Sequence, residues 1–310
     1  MIVVERTAPL LTVQDRGRRG FFAAGVTRSG PLDAMSLDVA NALVGNTPDA
    51  AALEGCLGGA TFRCERAATV ALTGANVLAT RNGAPLESYI AYELAAGDTL
   101  AIERIVRGAI WYLAIRGGID VPLVLGSRST LLSAEMGGLG GATIRSGARL
   151  GTGDSLRATR PAERVPDELR AILSETPVPL CAAPRTDSLT DGEWDAFFEA
   201  TWVVSHAVSR IGYRLEGPVL PTRLSADLPS EPACAGAMQL PPQGQPIVLM
   251  ADHPTIGGYP VIGAVPTVGR DALAQRAPGT SVRFSRIDTS RALDQLRVRQ
   301  RALSQWASRA

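Results

Sequence analysis

The sequence predicts a mainly β protein with a few helices, organised as two similar barrels. Short apolar or alternating runs such as TVALTG, TLAIERI and PIVLMA end at glycine, proline or asparagine, which is typical of strands joined by tight turns. The phrase AAGDTLAI at 95–102 recurs loosely as GTGDSLRA at 151–158 and APGTSVRF at 277–284, each time as a turn leading into a strand. This weak repetition favours two barrels of one kind.

A boundary between the two barrels is predicted at residues 157–168. This segment is charged, contains proline and lacks apolar periodicity, as linkers between domains commonly do. We therefore expect an N-terminal barrel over residues 1–160 and a C-terminal barrel over residues 161–310, the second ending in a helix.

Local signals support the individual elements. AIWYLAIRG and SVRFS are further predicted strands, and RNGAP at 81–85 contains the Asn-Gly pair that favours a two-residue hairpin. DAMSLDVANALVGN predicts a helix that begins at a cap, Asp33, and stops at Gly45. Its predicted buried face comprises Leu37, Ala40, Leu43 and Val44.

Two later helices are also predicted. TDGEWDAFFEA has Thr190 and Glu193 in the register of a capping box. The final segment, SRALDQLRVRQRALSQWASRA, carries apolar residues at helical spacing, so we expect it to pack through Leu293, Leu296, Leu303 and Trp306.

Composition excludes several classes of function. With 310 residues, 45% hydrophobic content and a formal charge of +1, the chain can bury a large core but offers no basic surface for nucleic acid. It shows no secretory signal pattern and no apolar run long enough to span a membrane, so a cytoplasmic location is expected. The four cysteines lack the paired spacing of a metal site, and we expect free thiols and no metal: Cys56, Cys64, Cys181 and Cys234.

The chain contains no lysine, so all 31 basic residues are arginines. It therefore cannot form a Schiff base, provide a phosphate-loop lysine or carry covalently attached biotin. Any anion that it binds must be held by arginine side chains or backbone amides, or by a partner protein.

The common catalytic signatures are missing, but six sequence motifs follow one another along the chain. They are TVQDRGRRG, GVTRSGPLDAMSLDVANALVGN, AALEGCLGGATF, LAIRGGIDVPLVLGSRST, GYRLEGP and PPQGQPIVLMADHPTIGGYP. Together they resemble the motifs of the family formed by the C-type subunits of 5-oxoprolinase, which is also described as biotin-dependent carboxyltransferase or allophanate hydrolase subunit 2. The resemblance implies two cyclophilin-like β-barrel domains, a B-type partner protein and, in the oxoprolinase system, a further A-type partner.

The resemblance also implies candidate site residues. Asp252 and His253 are the predicted catalytic pair, since a histidine can transfer protons that a neighbouring carboxylate orients or accepts. The alternative is that both side chains only satisfy a turn. Substrate-binding residues are predicted at Gln14, Asp15, Arg18, Ser29, Asp33, Glu54, Arg116, Arg128, Arg210, Arg214, Gln239, Thr255 and Tyr259. Among them, the arginines could clamp a phosphoryl group, and the carboxylates, with Asp252, could bind magnesium ATP, which a partner protein could also help to hold.

The chain departs from the family pattern at several loop positions. Family members usually carry a second threonine where this chain has Ile256, and serine followed by aspartate or asparagine where it has Val208 and Ser209. Two further polar positions are occupied by Ala142 and Ala148. These departures leave open an altered substrate, a changed partner or an inactive paralogue.

Three functions remain open from the sequence. The first is ATP-dependent opening of the lactam 5-oxo-L-proline to glutamate, performed with the two partner proteins. The second is transfer of a carboxyl group from biotin, carried on another chain, to a urea-like amide nitrogen. The third is a non-catalytic, regulatory role in which the protein antagonises a kinase inhibitor.

Overall fold

The computed structural model describes residues 1–153, 165, 177–183, 189–222 and 229–308. The chain divides into two compact units: one contains Met1–Arg19, Ser29–Leu173 and Arg301–Ala310, and the other contains Gly20–Arg28 and Ser174–Gln300. The N-terminal segment 20–28 thus belongs to the second unit. The predicted linker at 157–168 lies outside the described residues apart from Val165.

A ten-stranded antiparallel sheet forms the N-terminal unit. Its strands are β1 (Ile2–Arg6), β2 (Leu10–Gln14), β3 (Ala52–Cys56), β4 (Thr61–Cys64), β5 (Ala68–Arg81), β6 (Ala84–Leu86), β7 (Ala91–Leu94), β8 (Thr99–Ile115), β9 (Ile119–Asp120) and β10 (Arg149–Thr152). The pairing order is β2-β3-β8-β4-β1-β10-β9, and β5 pairs with β6, β7 and β8. The two segments TLAIERI and AIWYLAIRG, predicted separately, lie on the single long strand β8.

The hairpin turn at 81–84 and the cap at Asp33 form where the sequence predicts them. Arg81 pairs with Ala84 across the two-residue turn, where Asn82 and Gly83 both have positive φ, as this hairpin type requires. Helix α1 (Ala34–Leu43) begins at Asp33, whose carboxylate accepts from the Ser36 backbone N–H at 2.9 Å. The helix and hairpin predictions at these positions are confirmed.

The C-terminal unit has an eight-stranded sheet of order β19-β12-β13-β16-β15-β18-β11-β20 and a separate pair, β14-β17. The strands are β11 (Val178–Ala182), β12 (Trp202–Val204), β13 (Gly212–Glu216), β14 (Glu231–Pro232), β15 (Ala237–Gln239), β16 (Ile247–Leu249), β17 (Ile256–Gly257), β18 (Val261–Ala264), β19 (Ser281–Val282) and β20 (Phe284–Arg286). Its helices are α2 (Asp191–Glu199), α3 (Thr267–Ala274) and the first part of α4 (Thr289–Ser308), whose residues from Arg301 onward belong to the N-terminal unit. Short 3-10 turns lie at Phe22–Ala24 and Leu132–Ala134.

An aromatic cluster packs helix α2 onto its sheet. The Phe197 ring lies 5.1 Å from Trp202 and 5.4 Å from Phe284, measured between centroids. The predicted capping box at the start of this helix is present, with Thr190 and Glu193 each bonding the other's backbone N–H. Burial of these rings and the hydrogen bonds of the capping box therefore both stabilise helix α2.

The predicted packing face of helix α4 is wrong at one position. Leu293 is 46% exposed, whereas Ala292 and Trp306 are buried and Leu296 and Leu303 are half-buried. The buried stripe runs through Ala292, Leu296, Leu303 and Trp306, which are spaced at whole helical turns. Leu293 falls one residue to the side of that stripe.

Both sheets are nearly closed and barrel-shaped, so the predicted fold class, mainly β with a few helices and two barrels, is confirmed. Among the described residues, no helix combines the length and apolar character needed to cross a membrane.

Close packing of Trp111 against strand β3 generates a first prediction. A Cβ added at Gly55 would lie 2.1 Å from the Trp111 ring, and Trp111 is fully buried. Gly55→Ala should lower the free energy of unfolding by about 3 kcal/mol, because the core cannot absorb the added methyl group. Urea denaturation followed by tryptophan fluorescence measures this loss.

The matched control is Gly192→Ala in helix α2, where a Cβ meets no atom within 4 Å. That change should be neutral or stabilising by up to about 1 kcal/mol, since alanine favours helix. Equal stabilities for the two variants would contradict the predicted clash.

Candidate functional site

Asp15 closes a loop in the N-terminal unit. Its carboxylate accepts from the Ser127 and Ser129 hydroxyls, both at 2.6 Å, from the Arg128 backbone N–H at 2.5 Å and from the Gly17 N–H at 2.8 Å. The residue is buried at the end of strand β2. Four donors satisfy the buried charge, so Asp15 clamps segment 127–129 to the strand.

Three more predicted residues converge on the same segment. The Gln14 side-chain N–H donates to the Thr130 carbonyl at 3.1 Å, and the Ser29 hydroxyl donates to the same oxygen at 3.1 Å. Arg18 donates to the Ser129 carbonyl. The structure therefore brings Gln14, Asp15, Arg18 and Ser29 together around 127–130.

Glu54 and Asp33 belong to a second cluster, around the start of helix α1. The fully buried Glu54 carboxylate accepts from the Tyr112 hydroxyl at 2.5 Å and from the Leu32 N–H at 2.9 Å, while the Tyr112 oxygen accepts from the Asp33 N–H at 2.9 Å. Burial, followed by the nearby charge of Glu54, raises the pKa of Tyr112 well above its ordinary value. Tyr112 therefore remains a neutral donor.

The predicted carboxylates do not fit a magnesium-nucleotide site. Asp15 and Glu54 are occupied by internal donors, Asp33 caps its helix, and Asp252 pairs with Arg210. Within the described ranges, no group of three or more His, Cys, Asp or Glu side chains could hold a metal ion. These residues stabilise the fold around the loops.

Three further arginines were predicted to bind substrate, and each has a different environment. Arg128 donates to the Val121 carbonyl at 2.9 Å and reaches Asp120 at 3.4 Å. Arg116 is half-buried and follows strand β8, and Arg214 is exposed on strand β13. The binding role of these three arginines stays a prediction.

A bidentate ion pair holds the predicted catalytic loop of the C-terminal unit. Arg210 Nε and Nη2 contact the two Asp252 carboxylate oxygens at 2.9 Å each, and both side chains are 3% exposed. The Asp252 N–H also donates to the Arg210 carbonyl at 2.8 Å. Asp252 is therefore the ion-pair partner of Arg210, and its predicted catalytic pairing with His253 stays a prediction.

The His253 imidazole instead hydrogen-bonds to the backbone of the next residue, Pro254. Its Nδ1 lies 2.8 Å from the Pro254 carbonyl oxygen, which can only accept, so Nδ1 carries the proton and Nε2 is the basic atom of the neutral ring. The buried imidazole packs against the Phe22 ring at 5.8 Å. Burial lowers the pKa of His253 below its ordinary 6.5, and the charge of Arg270 acts in the same direction.

The strand pair β14-β17 fixes the backbone that follows His253. Glu231 and Pro232 pair with Gly257 and Ile256, and the Ala233 N–H donates to the Thr255 carbonyl at 3.0 Å.

The Gln239 amide lies directly against Gly257, where a Cβ would come within 2.5 Å of Nε2. Gln239 is buried, yet its side chain makes no hydrogen bond to the described residues. Thr255, two residues before Gly257, is half-buried, and Tyr259 is 47% exposed. We therefore define the C-terminal site by His253, Gln239, Thr255 and Tyr259.

Sequence reasoning missed two residues of this region. Phe22 lies far from His253 in the chain, and Arg270 lies within a short amphipathic helix, where an arginine is normally solvated. The available signal was that Phe22 lies three residues before the start of the GVTRSGPLD motif at Gly25.

Comparison with known proteins decides the family. The family model for the carboxyltransferase domain, subdomain A and B, matches residues 24–286. The chain belongs to this family. It is 36% identical over 309 residues to the C subunit of 5-oxoprolinase from Escherichia coli, covering 100% of this chain and 98% of that protein. It is 32% identical to the corresponding 5-oxoprolinase C subunit from Haemophilus influenzae, covering 91% and 89%.

A solved structure shows the same fold. The urea carboxylase of Kluyveromyces lactis superposes with a TM-score of 0.90 at 27% identity. The match covers 97% of this chain but only 29% of the urea carboxylase chain. The family's domain therefore makes up nearly the whole of a separate protein in one case and part of a much longer enzyme in the other.

The Arg210–Asp252 pair generates a second prediction. Asp252→Ala should lower the free energy of unfolding by about 3–5 kcal/mol, because the guanidinium would remain buried without its carboxylate. Chemical denaturation of the purified chain measures the loss.

The control replaces both partners with apolar residues, Arg210→Met with Asp252→Leu, and should cost much less than the single change. If Asp252→Ala unfolds at the wild-type denaturant concentration, the pair does not stabilise this loop.

Proposed function

We propose that this chain is the C-type component of an ATP-dependent 5-oxoprolinase, in which it acts with B-type and A-type partner proteins on the lactam 5-oxo-L-proline. The observation that carries the proposal is end-to-end similarity to the E. coli protein, at 98% of that protein's length. The match to yeast urea amidolyase covers only 16% of that enzyme. The E. coli relative is also the more similar of the two in sequence, at 36% identity against 30% for the yeast enzyme.

The C-terminal site supports chemistry on an amide. Gln239 offers an N–H and a carbonyl side by side, and a lactam presents the complementary C=O and N–H on one edge. His253 Nε2 can accept a proton from the water that opens the ring, since its lowered pKa keeps the imidazole neutral near pH 7.

ATP belongs to the proposed reaction, but the carboxylates of this chain offer no fitting magnesium site among the described residues. We therefore assign nucleotide binding to a partner protein. The chain's own residues bind the lactam, orient its amide and accept a proton at His253 Nε2.

Carboxyl transfer is the second candidate, because the fold is similar to that of urea carboxylase. Biotin would then have to be carried on another chain, because this one has no lysine. Carboxylation of urea by the chain together with a biotinylated partner, without 5-oxoproline turnover, would establish that function in place of the first.

Reconstitution tests the proposed function. The isolated chain should show negligible 5-oxoproline turnover, and ATP-dependent glutamate formation should arise only with the B-type and A-type partners. The measurement is glutamate release by the purified components, singly and combined.

Robust turnover by the isolated chain would contradict the need for partners. An inactive complete mixture that still assembles would favour carboxyl transfer or the regulatory role.

The role of His253 is tested by His253→Gln in the reconstituted complex. The turnover rate should fall about 100-fold or more, because glutamine cannot accept the proton, while assembly is retained. Steady-state kinetics and size-exclusion chromatography provide the two readouts.

The folding control uses pH. The lowered pKa means that the neutral ring's contribution to stability is complete above pH 6.5 and declines as pH falls below it, since the unfolded chain takes up the proton more readily. Because glutamine does not titrate, the free energy of unfolding of His253→Gln should lack this decline. Unfolding curves of the wild type and the variant above and below pH 6.5 measure the difference. Full activity in a stable, assembled variant would exclude His253 from the mechanism.

A further inference from the structure

Arg270 lies on helix α3 of the C-terminal unit, and its side chain is half-buried with a buried Nε. Its Nη2 donates to the Thr267 hydroxyl at 3.0 Å, while its buried Nε makes no hydrogen bond. A guanidinium has five N–H donors, so this single neutral acceptor satisfies little of its capacity.

No carboxylate neutralises Arg270 among the residues that the structure describes. The adjacent Asp271 is held by Arg299, which also donates to the Val268 carbonyl at 3.3 Å. Burial lowers the pKa of Arg270, with Asp271 and Cys234 acting in the opposite direction. Since arginine stays charged in proteins, the group is a partly desolvated cation that an anion would stabilise.

The Arg270 side chain packs against Gly236, which is hydrogen-bonded to the strand that leads to the C-terminal site. A Cβ at Gly236 would lie 3.0 Å from Arg270 Cδ, and the Gly236 N–H donates to the Leu249 carbonyl at 2.7 Å. Leu249 ends strand β16, directly before the turn that carries His253. The influence of Arg270 on the pKa of His253 agrees with this proximity.

We propose that Arg270 binds the carboxylate of the substrate and thereby selects lactams that carry an acid group over neutral amides. This inference rests on the proposed function and deepens it. 5-Oxo-L-proline has a carboxylate on the carbon next to the ring nitrogen, whereas urea has none. The Nε and Nη donors of a guanidinium match the two oxygens of a carboxylate, so one side chain can both neutralise and orient the acid.

Arg270→Gln in the reconstituted complex tests the inference. The KM for 5-oxo-L-proline should rise about 100-fold with a smaller change in kcat, because the lost contact is made in the bound substrate as well as the transition state. Inhibition by 2-pyrrolidinone, the same ring without the carboxylate, should keep its wild-type constant. Arg270→Lys should give an intermediate KM, since it retains the charge but not the planar fork.

Arg297→Gln is the matched control, because Arg297 is 63% exposed on helix α4 and pairs only with the equally exposed Asp294 among the described ion pairs. It should leave the KM unchanged. The melting temperature of Arg270→Gln should equal or exceed that of the wild type, since a buried charge without a counter-ion is removed.

The possible failures are distinguishable. A wild-type complex that assembles but does not turn over 5-oxo-L-proline refutes the proposed function, and this inference with it. An active wild-type complex with an unchanged KM in both Arg270 variants refutes the inference alone. A lowered melting temperature with a wild-type KM in the folded fraction would identify Arg270 as structural and would also overturn it.

Discussion

Buried carboxylates must be satisfied by donors, and this requirement determines how the loops of the protein are held. Asp15 joins the end of strand β2 to segment 127–129, and Glu54 joins strand β3 to the entry of helix α1 through Tyr112. In the C-terminal unit, Asp252 meets the same requirement with the Arg210 fork. Removing any one of these acids would leave buried donors unsatisfied, so each is needed for the geometry of its loop.

The same requirement separates supporting residues from residues that remain available for ligands. A carboxylate that already accepts several short hydrogen bonds has little capacity left for a metal ion or substrate, which applies to Asp15 and Asp252 alike. His253 Nε2 and the Gln239 amide have no such commitment in the described part of the chain. In the proposed function, proton transfer and amide binding therefore belong to neutral groups, while Asp15 and Asp252 maintain the loops.

Much of the fold followed from local pattern. The Asn82-Gly83 hairpin, the Asp33 cap and the Thr190–Glu193 capping box were predictable because each depends on residues within four positions of one another. The buried face of helix α4 was predicted less well, because helical spacing allows either Ala292 or Leu293 on it. In the structure Ala292 is buried and Leu293 is exposed.

By itself, the sequence determined the family, the mainly β class, the presence of barrels and the absence of lysine, since motif order, apolar alternation and composition are properties of the chain alone. Only the tertiary structure decided which partner each polar side chain takes. Asp252 and His253 are adjacent in sequence, yet the acid turns to Arg210, 42 residues away, and the imidazole to Phe22 and the Pro254 carbonyl. Hydrogen bonds between distant segments depend on strand register and loop path, which no local spacing encodes.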